Sequence, residues 1–144
     1  MDTRASTEPE VNEVTGVTAK LSGWSNEDLD RLDAAEEIQL ASRTPDGSLG
    51  SYATIWTVRV NDAAYVRSAY GHDNNWFQHA LKSGAGRIRV GDVEHDVDID
   101  VPGDEERENI SAAYHEKYDR FGEKMVGTVV SAEAERSTLR LLPR

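Results

Sequence analysis

No cysteine occurs in the 144 residues, which excludes disulfides, thiolate metal sites and cysteine nucleophiles. Methionine and phenylalanine are scarce, at two each, and no apolar run approaches the roughly 20 residues a membrane-spanning helix needs. The N-terminus has no basic start followed by an apolar core, so no secretory leader is read there and the expected location is the cytoplasm. Positive charge is also short. Sixteen Lys and Arg stand against 27 Asp and Glu, a formal net charge of −11. A chain this acidic is repelled by phosphate backbones and anionic bilayers, so neither nucleic acid nor membrane is expected as a partner. The four histidines show no ligand spacing, and no metal site is expected.

What is present concentrates in the middle. Residues 1–48 carry 4 basic and 11 acidic side chains, and residues 91–144 carry 7 and 14, so each flank sums to −7. Residues 49–90 carry 5 basic side chains (Arg59, Arg67, Lys82, Arg87, Arg89) against 2 acidic ones, giving +3. A cationic centre in an acidic chain suits a small anion such as a phosphate or carboxylate; equally, its arginines could pair with the acidic flanks. The length fits one domain with one sizeable core.

Residues 1–22 are polar and aperiodic and read as a disordered tail, leaving one domain over 23–144. Ser25 is an N-cap for a short helix over about 26–35, with Trp24 and Leu29 placed for a hydrophobic staple. Alternation predicts strands over about 36–43, 49–60 and 64–70, with a proline-glycine turn at 45–47 and a hairpin at Asn61-Asp62. Asp73 or Asn74 caps a helix to about Lys82, stopped by Gly84 and Gly86. Arg87–Val90 and Val93–Val101 form a hairpin across Gly91-Asp92, the acidic residues Glu94, Asp96, Asp98 and Asp100 facing solvent. A helix over about 104–121 follows, then strands at Met125–Val130 and Ser137–Leu142. Seven strands and three short helices, not alternating one for one, predict a mainly β, α+β fold: a small antiparallel barrel with helical insertions.

The run WTVRVNDAAYVRSAYGHDNNWFQHALKSGAGRIRV, with the later Ala113–Tyr118 (AYHEKY) and Thr138–Pro143 (TLRLLP), resembles an uncharacterised bacterial family of unknown function. That family lies among the flavin- and deazaflavin-binding split barrels, the pyridoxamine-phosphate-oxidase-like and deazaflavin-dependent nitroreductase-like proteins. The resemblance covers Trp24 to Arg144. It implies a homodimeric split β-barrel with FMN or a deazaflavin in a cleft, acting as a reductase of a small organic substrate. By position it assigns Arg67, Ser68, Asn75 and Trp76 to the cofactor phosphate and its surroundings, with Arg87 and Arg89 on the next strand. Where the family has a Ser/Thr-Lys pair at the helix start, this chain has Asn74-Asn75-Trp76. That departure opens a second expectation, a cofactor-free barrel that binds a small molecule as a carrier or to guide a reaction by shape.

The residues themselves support these assignments unevenly. Arg67 with Ser68 makes a phosphate fork, and Arg87 and Arg89, two apart on a strand, share a face. Trp56 and Trp76 can stack on a flat ring or pack the core. His72, beside Tyr70 at a strand-to-helix junction, is the candidate acid or base, since histidine titrates near neutrality. Lys117 stands on the apolar stripe of the late helix between Tyr114 and Tyr118, from where Tyr114, Lys117 and Tyr118 would complete the pocket from the far side.

Overall fold

The structure, a computed structural model, describes residues 23–69, 71 and 73–144. The expected tail over 1–22 and the candidates Tyr70 and His72 lie outside the described residues.

Helix α1 (Asn26–Ala34) starts at Ser25, whose Oγ accepts from Asp28 N–H at 3.1 Å, and buries Leu29 and Leu32. Strands β1 (Ile38–Ser42), β2 (Ala53–Ile55), β3 (Thr57–Val60) and β4 (Ala63–Arg67) follow. Helix α2 (Asn75–Ser83) ends at Gly84, which takes φ +70° in the left-handed region that glycine adopts freely. Strands β5 (Ala85–Val90) and β6 (Val93–Asp100) form a hairpin. Helix α3 (Arg107–Tyr118) has a 3₁₀ turn at each end, α4 (Glu123–Val130) and α5 (Ala132–Glu135) follow, and β7 (Thr138–Pro143) closes the chain.

All pairings are antiparallel and run β2-β1-β5-β6-β7-β4-β3. The two edges of this sheet, β2 and β3, are separated in sequence by Trp56 alone. One extended segment therefore serves both edges. Ile55 pairs with Ile38 on one side, Thr57 with Val66 on the other, and the sheet closes into a barrel through the chain itself. Inside are Leu29, Leu32, Ile38, Leu40, Val66, Phe77, Ile88, Val97, Leu139 and Leu141. A second core, Val58, Tyr65, Ile110, Tyr114, Tyr118, Val126 and Val129, packs α3 and α4 on the outer face of β3 and β4.

The barrel, its seven strands and its hairpins agree with the sequence reading, but two segments changed places in the count. The expected strand over 49–60 is two strands, broken at Trp56. The expected strand at Met125–Val130 is helix α4. Its β-branched residues favour extended backbone, but Val126 and Val129 sit three apart and both enter the outer core, while Met125 and Gly127 are exposed. The spacing, set by packing, overrides the propensity. Strand β4 also ends earlier than expected, because its partner β7 begins at Thr138 opposite Arg67; Ser68 N–H then turns to Ser137 Oγ at 3.1 Å.

The break at Trp56 is held from α3. Tyr118 Oη accepts from Thr57 N–H at 3.2 Å and donates to Glu36 O at 2.8 Å, with Thr57 O 3.0 Å away. The Tyr114 hydroxyl, fully buried in the same cluster, has no hydrogen-bond partner among the described residues. Tyr118→Phe is therefore expected to lose about 1–3 kcal/mol of unfolding free energy, because a buried N–H and a carbonyl lose their partner. Tyr114→Phe is expected to cost nothing or to stabilise. Denaturant titration of both variants checks the contrast.

Candidate functional site

A cleft of about 400 Å³ opens at the break. Thr54, Ile55 and Trp56 form one wall, Arg67 and Ala69 at the end of β4 the floor, Asn74 and Trp76 at the start of α2 another wall. Met125, Thr128 and Val129 of α4 and the Glu37 carboxylate complete it. The fold thus gathers three of the sequence candidates, Trp56, Arg67 and Trp76, from three separate elements.

Trp56 is held on one face by Tyr118, the rings stacked at 4.0 Å and 5° from parallel. Arg67 is 2% exposed. Its Nε donates to Thr138 Oγ1 at 2.9 Å, Nη1 to Ser111 Oγ at 2.8 Å and Val129 O at 2.9 Å, and Nη2 to Arg107 O at 3.1 Å. Among the described residues these partners are all uncharged. Burial lowers the Arg67 pKa from the usual arginine value, yet arginine is not deprotonated in proteins, so a positive charge stays in the floor of the cleft. The same bonds tie β4 to α3, α4 and β7.

Ser68 is buried and accepts from Asn74 Nδ2 at 2.7 Å; Asn74 Nδ2 also donates to Ala69 O at 2.6 Å. Asn74, rather than the expected Asn75, thus faces the cleft, and Asn75 is exposed as the first residue of α2. Arg87 and Arg89 do not join the site. Gly86, Ile88 and Val90 point into the barrel, so the arginines between them point out, where Arg87 Nε meets Asp96 at 2.9 Å and Arg89 Nε meets Glu94 at 2.9 Å. These arginines pair with the acidic flank on the barrel exterior. Asn74, Glu37, Thr54, Met125 and Thr128 were missed. The last two needed α4 to be read as a helix, for which the three-residue spacing of Val126 and Val129 was the available signal.

Tyr118 backs Trp56 without lining the cleft. Lys117 lines a different cleft, of about 330 Å³, together with Asp33, Val58, Arg59, Ala113, Glu116 and Arg120. Its Nζ donates to Thr57 O at 2.8 Å and to Leu32 O at 3.0 Å, one of the carbonyls left open at the end of α1. Burial pulls its pKa from 10.5 down to about 8, against the opposing pull of Asp33. Burial likewise raises Tyr118 to about 12. Among the described residues no three His, Asp or Glu side chains gather as a metal site, and no helix is long and apolar enough to cross a membrane.

A model of the family described as "Uncharacterized protein conserved in bacteria (DUF2255)" matches residues 28–141. No curated protein matches. Among solved structures, HutZ, the heme storage protein from Vibrio cholerae, is similar at 12% identity over 82% of this chain and 88% of its own, with a TM-score of 0.59. A conserved hypothetical protein from Mycobacterium tuberculosis is similar at 12% identity over 82% and 78%, with a TM-score of 0.56. An F420-H2 dependent reductase is similar at 15% identity over 74% and 93%, with a TM-score of 0.55. At these identities the likeness establishes the split-barrel fold, as the resemblance implied.

The depressed Lys117 pKa sets a sign. Between pH 8 and 10.5 the unfolded chain binds more protons at this amine than the folded one, so stability from this group rises with pH across that window. Unfolding free energy of the wild type relative to Lys117→Met, measured by denaturant titration at pH 7 and pH 9.5, is expected to shift in favour of the wild type at the higher pH.

Proposed function

We propose, for a chain that belongs to the DUF2255 family of uncharacterised bacterial proteins, that the cleft at Trp56 takes the planar ring of a flavin or deazaflavin and serves reduction of a small organic substrate. The observation behind this reading is that two tryptophans and a buried, charged arginine from separate elements line one cleft. Trp56 has one face committed to Tyr118, which fixes the indole as a platform for a second flat ring on its cleft side. Thr54, Asn74, Thr128 and Glu37 supply the few polar groups that would orient a ring edge. When bound, such a cofactor supplies hydride chemistry; the protein's part is to place and shield it.

The ring fits these residues better than a phosphate tail does. Arg67 has five N–H donors, and among the described residues four already serve protein oxygens, leaving one for an anion. That observation favours, as a second reading, a small-molecule-binding barrel without a cofactor, the cleft orienting its ligand by shape. The first reading also includes a homodimer. Phe121 and Met125 beside the cleft are 38% and 53% exposed, and a second copy would cover them.

Tryptophan fluorescence and visible absorbance, followed as FMN or a deazaflavin is added, separate the readings. The first expects saturable quenching, weakened about tenfold or more in Trp76→Ala, since ring stacking is worth about 1–3 kcal/mol. No quenching by either compound would move the assignment to the cofactor-free reading. Light scattering of the free protein at micromolar concentration is expected to give twice the chain mass.

A further inference from the structure

The second cleft, around Lys117, is left without a task by the reading above. Its charged lining comprises Asp33 of α1, Arg59 of β3, Glu116 and Lys117 of α3, and Arg120 in the turn after α3. Charges of both signs thus surround the amine, and each arginine has its own carboxylate partner outside the lining, Asp30 for Arg59 and Glu36 for Arg120. Arg59 spends Nε on Asn61 O and Nη1 on Asp30, and Arg120 spends Nη1 on Lys117 O and Nη2 on Glu36, so each guanidinium keeps further donors. The amine itself is fixed. Thr57 O and Leu32 O accept from Nζ at 2.8 and 3.0 Å, which a neutral amine satisfies with its two hydrogens, leaving its lone pair directed away from both carbonyls.

We infer that Lys117 is the nucleophile of a second site, one that condenses with a small aldehyde or keto acid to form an imine. The nitrogen lone pair attacks the carbonyl carbon and the C=O π pair moves to oxygen. One proton passes from nitrogen to that oxygen, the second N–H proton leaves as the carbinolamine loses water, and a C=N bond remains, so Thr57 O and Leu32 O release the nitrogen as the imine forms. No electron acceptor or donor is required. Asp33 and Glu116 stand in the cleft as carriers for the protons, and Arg59 and Arg120 as partners for the ligand's carboxylate. Burial supports the same role: with a pKa of about 8, Lys117 holds far more neutral amine near neutrality than an ordinary lysine.

The test uses the full wild-type chain and glyoxylate, with cyanoborohydride to reduce any imine, and peptide mapping to assign each carboxymethyl adduct. At pH 7.5 Lys117 should be labelled at least about tenfold faster than Lys20, Lys82 or Lys124, since its neutral fraction is on the order of a hundredfold that of a free lysine side chain. Its rate should level off above pH 8, while that of a free lysine amide treated in parallel keeps rising. Acetaldehyde, which lacks the carboxylate, should lose part of that selectivity, and Arg120→Gln should remove the preference for glyoxylate. Labelling of Lys117 no faster than the other lysines would overturn the proposal, as would equal selectivity with acetaldehyde and glyoxylate.

Discussion

Closure at a single residue governs this fold. A seven-stranded sheet has two edges, and here consecutive strands occupy them, so the ladder must break where the chain passes from one to the other. The break falls at Trp56 and exposes the Thr57 peptide to an apolar interior, where unpaired N–H and C=O groups are costly. Helix α3 answers with two consecutive side chains. Tyr118 takes the N–H, and Lys117 takes the carbonyl while holding the end of α1 in the same grip.

The same break makes the cleft. Trp56 lies at the break, its indole stacked on Tyr118, in contact with Phe121 and lining the cleft. Arg67 repeats the pattern one strand away. Its side chain is bonded into α3, α4 and β7, and its charge remains in the cleft floor. Structural staple and ligand surface are thus the same residues. A substitution meant to probe binding at Trp56 or Arg67 also touches closure, whereas Trp76 enters from α2 and packs against the main core from outside the seam.

Much of this was legible in the sequence, for reasons that can be named. Alternation in 93–100, the Asn61-Asp62 turn and the Ser25 cap are local signals, and each produced its element. Trp56, Arg67 and Trp76 were singled out because their types suit a planar, anionic ligand and the family-like core placed them together, and they line one cleft. What failed was what depends on distant partners. Whether 49–60 is one strand or two is decided by β1 and β4, which lie on opposite sides of the closed sheet. Whether Arg87 and Arg89 face inward is decided by Ile88 entering the core between them, and Glu94 and Asp96 then take the charges. Lys117 lies at the expected helix position but lines the second cleft, since a helical stripe does not say which side of a barrel seam it will reach.

Side chains of α3 close the barrel at Thr57, Tyr118 on its N–H and Lys117 on its carbonyl. Amide hydrogen exchange at Thr57, resolved by NMR, tests it most directly. Exchange as slow as that of a core amide such as Val66 is expected, because releasing Thr57 N–H from Tyr118 requires the barrel to open. Exchange at loop-like rates while Val66 stays protected would contradict it, showing that the seam opens by itself and that the fold does not depend on this clasp.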